Sequence, residues 1–125
     1  MKFLHTMIRV VDIEKSLDFY QKLLELKLDR TKELPDATLY FLTDETGCCE
    51  IELTCNKKLP ESGYTQGTYF GHLAFETDSM DKFTEKLKQY GWEYLWEPFK
   101  ITSIGSTIAF IKDPDGYEIE IIEHK

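Results

Sequence analysis

The chain has 125 residues, room for one compact domain of ordinary size and too little for a separate cofactor-binding domain beside it. With 42% hydrophobic and 30% charged residues, and 8 Phe, 7 Tyr and 2 Trp, it can build a core without disulfide or metal staples, which excludes disorder and collagen-like repeats. Its 15 Lys and Arg face 23 Asp and Glu, a formal charge of −8 with no basic cluster, so no nucleic acid partner is expected, because phosphate contacts need an electropositive face.

From the N-terminus, Met1 to Arg9 carries His5 and Arg9 within its apolar stretch and has no small-residue cleavage site. No run in the chain approaches the roughly 18 apolar residues of a membrane span, and a cytoplasmic protein with no membrane partner is expected. Phe3–Val10 alternates as a strand, with His5, Met7 and Arg9 on one face and Leu4, Thr6, Ile8 and Val10 on the other. Asp12 can cap a following helix whose apolar stripe is Ile13, Leu17, Tyr20 and Leu24. Three strands are expected next, at 27–33, 38–43 and 48–54, with a tight turn over Asp44 to Gly47 before the last. Residues 55–68, containing Pro60 and Gly63, read as a linker. Beyond it Tyr69–Glu76 is a strand and Asp78 a helix cap, and Met80, Phe83, Leu87 and Tyr90 form the second stripe, which Gly91 ends in a left-handed conformation. Strands at 93–97, 105–112 and 117–122 complete the chain, the last preceded by a turn over Asp113 to Gly116.

The order is βαβββ twice, an α+β fold of two modules, about 1–56 and 69–125, sharing one domain. The repeat is visible in the residues themselves. Phe41, Asp44 and Gly47 recur as Phe110, Asp113 and Gly116 at an offset of 69, and Glu50-Ile51-Glu52 recurs as Glu118-Ile119-Glu120 at 68. Cys48, Cys49 and Cys55 are an odd set without metal-site spacing, so no disulfide framework is expected, and Cys49 is assigned to the core. Trp92, Trp96 and Phe99 fit either the core or a pocket wall.

Four residues stand in register in this repeat: His5 and His72 in the first strand of each module, Glu52 and Glu120 in the last. Each alone has an ordinary explanation as a strand residue on a wet face. Together, a duplicated fold that brings equivalent strands close would converge two imidazoles and two carboxylates into a mixed nitrogen and oxygen metal site. No Gly-rich phosphate loop or nucleophile elbow competes with that reading.

Leu4-His5-Thr6-Met7-Ile8-Arg9-Val10, Asp18-Phe19-Tyr20, Ile51-Glu52-Leu53-Thr54 with Asn56, Gly71-His72-Leu73-Ala74, and Asp113-Pro114-Asp115-Gly116-Tyr117 through Glu120 resemble glyoxalase I, the lactoylglutathione lyases of the vicinal oxygen chelate superfamily. The resemblance spans nearly the whole chain and implies the vicinal oxygen chelate fold. It implies His5, Glu52, His72 and Glu120 as metal ligands, Glu120 as catalytic base and Glu52 as its counterpart on the opposite face of the substrate. It also implies Arg9 and Asn56 as residues holding the glutathione part. It implies Lys100 as a third residue binding glutathione, the displaced counterpart of a family Lys that clamps the thiol's carboxylate and stands about two positions nearer the Ile108-Ala109-Phe110 strand, followed there by glycines rather than by Ile101-Thr102-Ser103.

The reaction implied is isomerisation of the methylglyoxal–glutathione hemithioacetal to S-D-lactoylglutathione. Four protein ligands fill a tetrahedral zinc shell, whereas an octahedral ion keeps two positions for water or substrate, so nickel or cobalt is expected ahead of zinc. Relatives of this length imply a homodimer. Other activities on the same scaffold remain alternatives: thiol transfer, epimerisation, an iron extradiol dioxygenase with only one carboxylate ligand, or a metal-free drug-binding module.

Overall fold

The computed structural model describes residues 1–124. These divide into two compact units, Met1–Thr65 and the chain from Gln66 onward. The first unit has one sheet of four strands, β1 (His5–Arg9), β2 (Lys27–Glu33), β3 (Ala37–Thr43) and β4 (Glu50–Asn56), in the order β1-β4-β3-β2. β1 and β4 are parallel and the other pairs antiparallel. A tight turn cannot join parallel neighbours, and the helix and the β2–β3 hairpin lie between them in the chain.

Ile8 and Val10 are buried, while His5, Met7 and Arg9 are exposed, so one face of the sheet is packed and the other open. β1 is shorter than Phe3–Val10, although the backbone bonds Glu50 N to Leu4 O and Val10 N to Thr54 O, both 3.0 Å, carry the pairing one residue past each end. Asp12 caps the helix α1 (Ile13–Leu17) as expected, accepting from the Lys15 amide at 3.3 Å. The apolar stripe differs from the expected one. After Leu17 the helix widens into a π turn over Asp18–Leu23, and the Leu24 amide donates to the Phe19 carbonyl at 3.3 Å. A turn with i→i+5 bonds holds more residues than an α turn, so the inward face drifts to Ser16, Phe19, Tyr20 and Leu23, and of the predicted stripe only Tyr20 is fully buried. The chain leaves this turn through Glu25 in the left-handed region at φ 59, with the Leu26 amide returning to the Tyr20 carbonyl at 3.0 Å.

β4 starts two residues later than expected because the preceding turn is longer than Asp44–Gly47. Asp44 accepts from the Thr46 amide and hydroxyl and from the Gly47 amide, and Thr46 Oγ1 in turn accepts from the Cys48 amide at 3.2 Å. Cys49 therefore lies in the turn and is exposed rather than in the core; all three cysteines are free. At its other end β4 runs to Asn56, into the stretch expected to be linker.

The second unit repeats the connectivity with β5 (Leu73–Glu76), α2 (Met80–Gln89), β6 (Tyr94–Ile101), β7 (Ser106–Lys112) and β8 (Glu118–Glu123), sheet order β5-β8-β7-β6. β5 is half the expected length. Its partner β8 begins only after the Asp113–Gly116 turn, the first pair being Leu73 with Ile119, so 69–72 have no strand to pair with and His72 stands one residue before β5 rather than within it. The cap of α2 is Ser79, which accepts from the Lys82 amide at 3.2 Å, instead of Asp78. Glu123 of β8 reinforces this end, accepting from the Met80 amide at 2.6 Å. Met80, Phe83 and Leu87 are buried and Tyr90 is exposed at the helix end, before Gly91 at φ 77. β6 continues past Pro98, with breaks in register on either side of Trp96, a course open to an edge strand because its outer amides need no partner. Trp96 and Phe99 are exposed and Trp92 half-buried, so none of the three is in the fully buried core. Among the described residues no helix is long and apolar enough to cross a membrane.

The packed face of the first sheet depends on Leu53, fully buried in β4. Leu53→Ala is expected to cost about 2–5 kcal/mol of stability, measured by urea denaturation; a loss below about 1 kcal/mol would mean that the site collapses around the smaller side chain.

Candidate active site

In the first unit His5 lies opposite Glu50, and Met7 opposite Glu52. Side chains directly across a sheet share a face, so His5 and Glu52 are diagonal neighbours on the open side. The His5 Nε2 atom is 3.2 Å from Glu52 Oε1. Phe41, the β3 partner of Glu52, meets the His5 ring edge-on at 5.6 Å and 78°. On the far side of Phe41 the Arg30 guanidinium lies 4.0 Å over the ring. It donates to Glu50 at 2.6 Å and to Asp29 at 2.9 Å, and these bonds, Glu50 first, raise its already high pKa. The carboxylate directly opposite His5 is thus engaged by Arg30, and Glu52 is the one left to face the imidazole.

The second unit builds the same arrangement. His72 Nε2 is 3.0 Å from Glu120 Oε2, Glu120 pairs in register with Phe110 of β7, and the Phe110 ring meets His72 edge-on at 5.3 Å and 87°. Trp96 takes the place of Arg30, packing on Phe110 at 5.3 Å. In both units the carboxylate is sunk and the imidazole open, with side-chain exposures of 10% and 17% for Glu52 and Glu120 against 35% and 40% for His5 and His72.

Both pairs fit a divalent ion. Neutral imidazole nitrogen and carboxylate oxygen are donors for divalent first-row metals, and two ligands at right angles, about 2.1 Å from an octahedral ion, are about 3.0 Å apart. The structure therefore brings together His5 with Glu52 and His72 with Glu120. Among the described residues no group of three or more His, Cys, Asp or Glu side chains comes close enough to hold a metal, so each unit presents a two-donor half-site.

Arg9 is exposed at the end of β1, opposite Thr54 and on the Glu52 face. Asn56, the last residue of β4, shares that face by parity, and its Oδ1 accepts from the Tyr64 hydroxyl at 2.8 Å. Lys100 is placed differently. It lies opposite Thr107, which pairs with Glu123, so register puts it on the helix-bearing face of the second sheet rather than the face of Glu120. Two elements of the site went unread in the sequence. The Phe41 and Phe110 rings have the repeat offset of 69 as their signal, and the Thr54 hydroxyl shares strand parity with Glu52.

Residues 2–121 match the model of the glyoxalase/bleomycin resistance protein/dioxygenase superfamily. The chain is 42% identical over its whole length to the lactoylglutathione lyase of Escherichia coli O157:H7, covering 94% of that protein, and equally similar to that of Neisseria meningitidis serogroup B, covering 92%. Among solved structures, glyoxalase I from Zea mays superposes with a TM-score of 0.84 at 34% identity over 97% of this chain, which spans only 44% of the maize chain. The trypanothione-dependent glyoxalase I of Leishmania major superposes with a TM-score of 0.81 at 30% identity, over 98% of this chain and 86% of that one.

Phe41→Leu keeps an apolar side chain behind His5 and removes the aromatic edge and the face under Arg30. A loss on the order of 1 kcal/mol is expected in chemical denaturation; unchanged stability would show that the ring only fills space.

Proposed function

The chain belongs to the glyoxalase/bleomycin resistance protein/dioxygenase superfamily, and from that premise we propose that it is a lactoylglutathione lyase, converting the methylglyoxal–glutathione hemithioacetal to S-D-lactoylglutathione. The observation that carries this reading is the pair of His–Glu contacts, 3.2 and 3.0 Å, at equivalent places in two repeated units. His5, Glu52, His72 and Glu120 form the ligand set of one divalent ion, the two half-sites coming from the two units of one chain or from two copies of it. An ion held there supplies Lewis-acid stabilisation of the negative charge that develops on the substrate oxygens.

The reaction moves one proton between adjacent carbons. Glu120 takes the proton from the carbon bearing sulfur, and Glu52, on the opposite face, serves delivery of a proton to the neighbouring carbon, exchange with water returning both carboxyl groups to their starting states. Nickel or cobalt is the working ion in this reading, since four protein donors close a tetrahedral shell and leave an octahedral one open at two positions. Arg9 and Asn56, on the Glu52 face of the first sheet, hold the anionic thiol, and Arg9 offsets the repulsion of a chain with a formal charge of −8. The protein works as a homodimer in the cytoplasm, a compartment that suits three unpaired cysteines.

Apo-protein reconstituted with nickel or cobalt is expected to form thioester from methylglyoxal and glutathione faster than with zinc. Alanine at any of the four ligands should lower metal content or abolish turnover, most severely at Glu120. Full metal content and activity in two of these variants would sink the ligand set, and equal rates with zinc would sink the metal preference. Arg9→Ala is expected to raise KM for the hemithioacetal at least tenfold more than Lys100→Ala does, because lost ground-state binding appears there. Equal effects would show that Lys100 still reaches the thiol; no effect from either would point to a different thiol. Static light scattering is expected to give twice the chain mass at micromolar protein, and a monomer mass would reject the dimer.

A further inference from the structure

The two half-sites also differ in what holds their carboxylates. Glu52 is held at both carboxylate oxygens: Oε1 faces His5 Nε2 at 3.2 Å, and Oε2 accepts a hydrogen bond from the Thr54 hydroxyl at 2.6 Å. Both residues of that bond are buried, 8% exposed at Glu52 and 6% at Thr54. In the second unit the residue two beyond Glu120 on the same strand is Ile122, which pairs with Ile108 and has no hydroxyl to offer. Glu120 meets His72 through Oε2 and is the more exposed of the two carboxylates, 17% against 10%.

We propose that Thr54 is a positioning residue that pins the Glu52 carboxylate and so makes two carboxylates from equivalent places in a repeat unequal, leaving Glu120 as the one able to swing. This rests on the ligand set proposed above. A short hydrogen bond to an ionised oxygen is among the stronger kinds, and here it acts where little water competes. It fixes the rotation of the Glu52 carboxylate, so that Oε1 stays aimed at the position it shares with His5 Nε2. Glu120, without a hydroxyl at the matching place, can turn away from His72 to accept a proton at the cost of one contact. The repeat would otherwise leave the proton-accepting role to either carboxylate.

The test is a nickel titration of apo-protein by calorimetry, with kcat and KM measured on the loaded enzyme, for wild type, Thr54→Val, Thr54→Ser and Ile122→Thr. Val keeps the β-branched shape that suits a strand and removes only the hydroxyl. Thr54→Val is expected to bind nickel roughly tenfold more weakly, the usual scale for losing a partner that orients a metal ligand, and to lose kcat with little change in KM. Thr54→Ser should restore the affinity. Ile122→Thr, which gives Glu120 the same tether, should lower kcat while nickel binds as tightly as in wild type or more so. Wild-type affinity in Thr54→Val, equal weakening in Thr54→Ser, or undiminished kcat in Ile122→Thr each overturns the inference. If the wild-type chain itself neither binds nickel nor forms thioester, the ligand set fails and this inference with it; if it does both beside an unaffected Thr54→Val, only the role of Thr54 fails.

Discussion

Parallel pairing of the first and last strand of each unit is the constraint on which the site depends. In β1 and β4 the register sets His5 across from Glu50 and Met7 across from Glu52, so the His5 imidazole and the Glu52 carboxylate are diagonal neighbours on one face of the sheet. A one-residue slip would turn Glu52 to the packed side, because alternate side chains face opposite ways. Buried residues hold the register. Ile8, Val10 and Leu53 all point to the packed face and are nearly or fully buried, and exposing them would cost far more than one polar side-chain contact returns. The core thereby decides where the polar groups stand.

Around that diagonal the sheet supplies a rigid backing. Phe41 and Phe110, the register partners of Glu52 and Glu120 in the neighbouring strand, each present a ring edge to the imidazole in their own unit. What lies beyond the ring differs: the charged, doubly hydrogen-bonded Arg30 in the first unit and the apolar Trp96 in the second. Arg30 also engages Glu50, the acid closest in register to His5, so that two acids two residues apart on one strand face have separate partners. The second unit achieves the same pairing of His72 with Glu120 behind an apolar wall. A shared scaffold thus carries two His–Glu pairs in different electrostatic surroundings.

Much of this was legible in the amino acids. The offset between Phe41-Asp44-Gly47 and Phe110-Asp113-Gly116 revealed the duplication, alternation showed which face of β1 is open, and turn chemistry marked Gly47, Gly91 and Gly116, all at positive φ. His5, Glu52, His72 and Glu120 followed from placing one His and one Glu in matching strands of each unit, although His72 proved to stand just outside its strand. These signals are local or periodic, and local physics acts on them directly.

Other features depended on neighbours distant in sequence. The π turn at Asp18–Leu23 shifts the helix stripe, and a period of 3.6 cannot reveal a change of period within one helix. Ser79 caps α2 rather than Asp78, and Glu123, 43 positions beyond Met80, accepts from the Met80 amide. β5 is short because β8 starts late, a length set by its partner and not by its own residues. Cys49 is exposed because Thr46 extends the turn to Cys48. Lys100 falls on the far face of its sheet because it pairs with Thr107, on the opposite side of β7 from Phe110. The residue types and their periodicity determined the repeated fold and its two His–Glu pairs. Strand register across the sheets, which only the folded chain possesses, decided which hydroxyl, ring and cation meet each pair.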